Sequence, residues 1–90
     1  MASNTNVLGA EADLPTTTGT ATSFSEASVV RLVNTDSSAH LVSVVETQSG
    51  TPVGSFTMPA GSVEFLEKTY THCVFAENAG VKGAKVGFTH

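Results

Sequence analysis

Apolar and polar residues alternate in short runs along most of the chain, and turn residues separate the runs. In residues 62–68 (SVEFLEK), Val63 and Phe65 share one face of an extended segment with Glu67. Leu66 lies on the opposite face. This period of two is typical of a β-strand that buries one face, and the more apolar face, with Val63 and Phe65, is predicted to point inward.

A tight turn precedes this segment. Pro59 fixes its φ angle near about −65°, and Gly61 supplies the left-handed conformation that closes a turn. Residues 53–58 and 62–68 are therefore predicted to form a β-hairpin with a glycine bulge.

The same pattern continues from about residue 20 to the end of the chain, without a helical period long enough to compete. It predicts an all-β fold, a single small antiparallel β-sandwich or partly open barrel of six to seven strands. The predicted strands are 20–27 (a weak one around Phe24), 28–34, 39–48, 53–58, 62–68, 72–76 and 81–90.

The first 19 residues differ in composition from the rest. They are rich in Thr, Ser, Ala, Asn and Gly, with isolated apolar points at Val7, Leu8 and Leu14 and a Leu14 to Pro15 step. Residues 1–19 are predicted to form an extended arm that a neighbouring copy or another protein holds, and residues 20–90 the sandwich domain. The predicted partner interface comprises Val7, Leu8, Leu14, Pro15, Phe24 and Arg31.

Length and composition bear on stability. A chain of 90 residues fits one domain with a thin core, and its apolar residues are chiefly valine. The single Cys73 leaves no disulfide within the chain to compensate. Self-association or docking onto a larger body is the expected source of the missing stability.

The net charge and the lengths of the apolar runs limit the classes of partner that the chain is expected to bind. The net charge is −4 with only four Lys plus Arg, whereas nucleic-acid binding depends on clustered cations. The first ten residues have neither the basic nor the apolar region of a secretory signal, and no later apolar run reaches the length of a membrane span. We expect a protein of cytosol-like conditions with neither nucleic acid nor membrane as a partner.

Candidate catalytic groups are few. His72 and Cys73 are adjacent and point to opposite faces of a strand, so they do not form a nucleophile and base pair. Cys73 is predicted to be a small buried apolar residue on the face of Phe75. Glu64 and Glu67 also point to opposite faces, and the chain is not expected to be an enzyme.

Residues that could bind a metal or a cofactor are equally few. The spacing of His40, His72, His90, Glu46 and Glu64 matches no recognised ligand set, and no metal, cofactor or small-molecule substrate is expected. Two interpretations of Arg31, which lies among valines, stay open. Its stem lies over apolar surface with the guanidinium at the rim, or it anchors a carboxylate of a partner.

Three stretches carry a family resemblance: 16–44 (TTTGTATSFSEASVVRLVNTDSSAHLVSV), 56–68 (FTMPAGSVEFLEK) and 74–90 (VFAENAGVKGAKVGFTH). From Thr16 onward the chain resembles the small β-rich virion proteins of tailed bacteriophages, in particular those that infect marine cyanobacteria. The resemblance implies a particle component in many copies, and it assigns no functional residue.

The leading hypothesis is a capsid decoration or cement protein that stabilises the virion by docking across neighbouring subunits. Its expected partners are the major capsid protein, other virion proteins and copies of itself, and its expected location is the virion, assembled in the host cytoplasm. One alternative is a component of a neck or tail ring. Another is a small binding module for a glycan or a host protein.

Overall fold

The computed structural model describes residues 4–89, which form an all-β fold of eight strands. A single 3-10 turn, Thr18–Thr20, is the one helical element of this part of the chain. The strands are β1 (Asn4–Val7), β2 (Ala12–Asp13), β3 (Val29–Asn34), β4 (His40–Val45), β5 (Pro52–Met58), β6 (Val63–Glu67), β7 (Cys73–Ala76) and β8 (Val81–Thr89).

The strands form two antiparallel sheets. The larger sheet has the order β1-β8-β3-β6, with β2 also beside β8, and the smaller sheet has the order β5-β4-β7. This arrangement confirms the predicted antiparallel sandwich, and the two sheets do not close into a barrel. The six strands from Val29 onward agree with the predicted number.

The main core lies between the two sheets. Its buried side chains come from facing positions on both sheets and from two segments outside them, because alternate residues of each strand point to the same side. The buried members are Leu14, Ala27, Val30, Leu32, Val42, Val44, Met58, Val74, Ala76 and Val81.

The predicted hairpin between residues 53–58 and 62–68 is wrong. β5 pairs with β4 and β6 pairs with β3, so the turn joins two different sheets. Gly61 has a φ of 73°, and the Ser62 amide donates to the Pro59 carbonyl at 3.1 Å, which together form a tight turn. Local turn chemistry was correctly predicted, and the pairing of the strands on either side was not.

The predicted inward face of β6 is also wrong. Val63 and Phe65 are 43% and 44% exposed, whereas Leu66 packs against the core. The register explains the reversal, because Leu66 is opposite the fully buried Val30 on β3. Since a shift by one residue exchanges the two faces of a strand, the buried face of β3 decides which face of β6 is buried.

The weak strand that the sequence predicts around Phe24 does not form. Phe24, Ser25 and Glu26 have φ angles of 54°, 55° and 57°, and the Ala27 amide donates to the Ser23 carbonyl at 3.0 Å. These residues therefore form a left-handed turn, a conformation that costs about 1–2 kcal/mol per residue outside glycine.

Side-chain contacts hold this left-handed turn in place. Lys68 Nζ donates to the carbonyls of Ser23 and Ala27, at 3.1 and 2.6 Å. The Phe24 ring covers Gly83, where an added Cβ would lie 2.7 Å from Phe24 Cζ. Burial lowers the pKa of Lys68, and the carbonyls that surround its ammonium group replace part of its hydration.

The arm is paired with its own chain. β1 lies antiparallel to the end of β8, and β2 lies beside the start of β8. Leu14 is only 2% exposed and belongs to the main core. The next carbonyl, that of Pro15, accepts a hydrogen bond from the Ala76 amide at 2.9 Å. A neighbouring chain is therefore not required to order residues 4–15.

A second, smaller core lies on the outer side of the smaller sheet. It consists of Ala21, Val45 and Cys73, with Phe75 packed against them. Cys73 is thus a small buried apolar residue beside Phe75, as predicted from the alternation of residues 72–76.

Candidate functional site

Exposed apolar side chains are the most prominent candidate interaction features of this fold. Such side chains mark contact surfaces when they lie together on a strand edge or around a groove. The large exposed apolar residues of the described chain are Val7, Leu8, Leu41, Val53, Val63, Phe65 and Tyr70.

The tip of the arm carries the most exposed pair. Val7 is 73% exposed and Leu8 is 57% exposed, although both residues are held by main-chain contacts to β8. The Leu8 amide donates to the Lys85 carbonyl at 2.9 Å, and one Leu8 methyl lies over Gly87. Val7 and Leu8 therefore stay predicted partner residues, on a strand at the edge of the larger sheet.

Three other predicted interface residues lie elsewhere. Leu14 is buried in the main core, and Phe24 packs against that core from the left-handed turn. Pro15 is partly buried, and its carbonyl accepts a hydrogen bond from the Ala76 amide. The surface of Leu14 is not available to a partner, because the folded chain already covers it.

Arg31 lies on the outer face of the larger sheet. Its guanidinium is 3.4 Å from the carboxylate of Glu11, which follows the arm tip in the sequence. Lys82 and Asp13 form a second ion pair on the same face, and this hydrogen bond raises the pKa of Lys82. The Arg31 carboxylate partner in this structure is thus supplied by the same chain.

An open seam separates β5 from β6, the edge strands of the two sheets on one side of the sandwich. We use "open seam" for this groove of about 340 Å³. Its floor is apolar, with Val44, Phe56 and Leu66, and its rim includes Lys68 and His72. Sequence reasoning missed the seam because the predicted hairpin would have placed β5 and β6 in one sheet.

A second depression, of about 360 Å³, lies on the outer face of the smaller sheet. Ser43, Ser49, Ser55 and Phe75 contribute to its lining. Hydroxyl groups beside one aromatic ring can accept many small polar molecules, so this lining defines no particular ligand.

His40 lies between two carboxylates at one end of the sandwich. Its Nε2 is 2.5 Å from Asp36 Oδ2, and its Nδ1 is 3.5 Å from Glu77 Oε1. The hydrogen bond to Asp36 raises the pKa of His40, and the same bond lowers the pKa of Asp36. A carboxylate at each ring nitrogen stabilises the protonated imidazolium relative to the neutral ring.

This arrangement predicts a pH-dependent stability. The contribution of Asp36 is fully present above its ordinary pKa of about 3.8, and that of His40 is fully present below about 6.5. The His40 contribution is then lost as the pH rises through the raised pKa. We expect the melting temperature of the native chain to exceed that of His40→Gln by more at pH 5.5 than at pH 8.5, as measured by circular dichroism.

His72→Gln is the matched control, because His72 makes no described ion pair. Its difference from the native chain should change less between the two pH values. An equal His40→Gln effect at both pH values would contradict the charged form of His40.

No metal site or nucleophile emerges from residues 4–89. No three His, Cys, Asp or Glu side chains in this range are grouped as metal ligands. Asp36 and Glu77 face opposite nitrogens of His40, so they do not converge on one point. Cys73 is buried, and His90 lies outside the described residues.

Between residues 4 and 89 the structure contains no helix with the length and apolarity needed to cross a membrane.

No protein family matches the chain, and neither curated proteins nor solved structures give a match. The exposed surfaces described above are therefore the features of this chain that bear on its function.

Proposed function

We propose that this chain is a structural protein of a bacteriophage virion, a decoration protein that docks on the capsid through the tip of its arm. The observation that carries the proposal is the exposure of Val7, the last residue of the edge strand β1, and of Leu8, which follows it. The family resemblance of the sequence supports the virion as the location.

The arm tip has the properties of a docking strand. β1 is paired on one side by β8, and no described strand lies on its other side. An extended segment of a capsid subunit can add there through main-chain hydrogen bonds, while Val7 and Leu8 enter apolar pockets. Full burial of a Val or Leu side chain contributes about 1.5–3 kcal/mol, so two of them change the affinity strongly.

The overall charge favours the outer surface of the particle. A chain with a net charge of −4 is repelled by packaged nucleic acid, whereas it can dock on the exterior of a capsid. Many copies, each with a modest affinity, together stabilise the junctions between subunits.

The test is co-sedimentation of the purified chain with capsids that lack it. Val7→Asp/Leu8→Asp should reduce occupancy at least tenfold, since about 1.4 kcal/mol corresponds to a factor of ten in affinity. The control is Thr16→Asp/Ala39→Asp, which adds the same charge at two exposed positions. The control should bind as the native chain does.

Equal occupancy of both double variants would refute docking through the arm tip. The number of copies per particle then separates the two virion locations. Hundreds of copies support capsid decoration, while roughly six or twelve would move the protein to a neck or tail ring.

A further inference from the structure

The outer edge of β5 is the longest strand edge in residues 4–89 that no other segment covers. Pro52–Met58 is seven residues long, and its first four residues are exposed. Residues 47–63, which include the whole strand, form the longest run in the sequence without a charged side chain. Charged side chains are one device that blocks the pairing of an edge strand with another chain, and β5 has none. Two other devices, Pro52 and an irregular pairing at Val53, lie at the start of the strand and leave residues 54–58 regular.

The opposite edge of the same sheet is covered. On β7, Val74 exchanges two main-chain hydrogen bonds with Thr22, at 2.8 and 3.1 Å, and Ala76 donates to Pro15. Within the described residues, no strand lies beyond β5. Other segments of the chain thus cover the β7 edge of the smaller sheet, whereas the β5 edge stays available for pairing with another strand.

Hydrogen-bond parity identifies the outward main-chain groups of β5. Leu41 on β4 accepts from the Glu77 amide on the β7 side, at 3.0 Å. Alternate residues of β4, Val42 and Val44, therefore point toward β5, where they face Phe56 and Gly54. It follows that the N–H and C=O groups of Ser55 and Thr57 point away from the sheet. At Val53 the pairing with β4 is irregular, because Val44 is opposite Gly54 whereas Val45 is opposite Pro52, so the alternation does not extend to that residue.

The side chains of β5 suit a second copy of the same strand. An antiparallel pair centred on Ser55 places Val53 opposite Thr57 of the other copy and Phe56 opposite Gly54 of the other copy. No heavy atom lies within 4 Å of the position that a Cβ would take at Gly54. The Phe56 ring of one copy can therefore cover the open space at Gly54 of the other, as aromatic residues do beside strand glycines.

We propose that the protein forms a two-fold symmetric dimer in which the β5 strands of two copies pair antiparallel about Ser55. The outward groups of Ser55 in the two copies supply two main-chain hydrogen bonds at the centre, those of Thr57 can add others, and the smaller sheets join into one sheet of six strands. The same patch meets itself, as a two-fold interface requires.

Charge explains why a second copy meets this edge and not another. Two chains of net charge −4 repel one another, and the repulsion is least where neither contributes a charged side chain. The β6 edge carries the negatively charged Glu64 and Glu67, and β1 has four residues within the described part of the chain. The dimer depends only on the isolated chain and is independent of the proposed virion function.

The first test is the mass in solution of the purified full chain. Sedimentation equilibrium should give about twice the chain mass of 9.2 kDa. Ser55→Lys places two like charges opposite each other and should weaken the dimer at least tenfold. Thr16→Lys, an equal charge change at an exposed loop position, should leave it intact. A native chain that stays monomeric, or a Ser55→Lys dimer of native strength, overturns the proposal.

The second test fixes the register with disulfides in a Cys73→Ala background. Two residues at position 55 would have Cα atoms about 5.5 Å apart, within the disulfide range of about 4.4–6.8 Å. Ser55→Cys should therefore form a covalent dimer on mild oxidation. Two copies of Thr57→Cys would be about 13 Å apart along the strands and should not. Cross-linking of Thr57→Cys but not of Ser55→Cys overturns this register.

Discussion

Replacement of Leu14 by alanine is expected to lower the free energy of unfolding by about 2–5 kcal/mol, the usual cost of such a truncation in a well-packed core. Leu14 is 2% exposed and packs with the main core, although it lies in a segment whose composition predicts an arm. For a domain whose whole stability is about 5–15 kcal/mol, this loss is large. Urea unfolding followed by circular dichroism measures it.

Leu8→Ala is the matched control, since it is the same change in the same segment at a side chain that is 57% exposed. Its cost should stay within about 0.5 kcal/mol, as for most surface substitutions. Similar losses for the two variants would show that Leu14 does not belong to the core.

Replacement of Asn34 by alanine should destabilise the fold by about 3 kcal/mol. Asn34 is fully buried, and its Nδ2 donates to the carbonyls of Ser38 and Met58 at 2.9 and 3.0 Å. Its Oδ1 accepts from the Asp36 amide at 3.0 Å. Alanine leaves these main-chain groups without their side-chain hydrogen bonds. Each buried polar group that loses its hydrogen-bond partner costs about 1–3 kcal/mol.

Asn78→Ala separates this effect from the general loss of a side-chain amide. Asn78 Oδ1 accepts from the Gly80 amide at 2.7 Å within an exposed turn, where water can replace the lost bond. Its cost should be clearly smaller in the same urea experiment. If Asn34→Ala costs no more than Asn78→Ala, the amide of Asn34 does not tie the turns at this end of the sandwich together.

The candidate surfaces were only partly predictable from sequence. Val7, Leu8 and Leu14 are isolated apolar residues in a polar segment, and this contrast predicted a partner interface at all three, although Leu14 is a core residue. The open seam and the free edge of β5 left no such signal, because they depend on which strands pair. The uncharged run of residues 47–63 was the one available pointer to the edge.

Local chemistry explains what the sequence determined by itself. Alternation with a period of two predicts the six strands from Val29 onward, the all-β class and the burial of Cys73, because adjacent residues of a strand always point to opposite faces. The turn from Pro59 to Gly61 was also predictable from local sequence, because the turn residues themselves fix its geometry.

Only the tertiary structure decided which strands pair, which face of β6 is buried and where residues 4–15 lie. The buried face of β3 sets the register of β6, and a shift of one residue would exchange its faces. Leu14 joins the core because the fold places its side chain among the buried side chains between the two sheets. Such outcomes depend on contacts between residues far apart in the chain, and no local pattern records them.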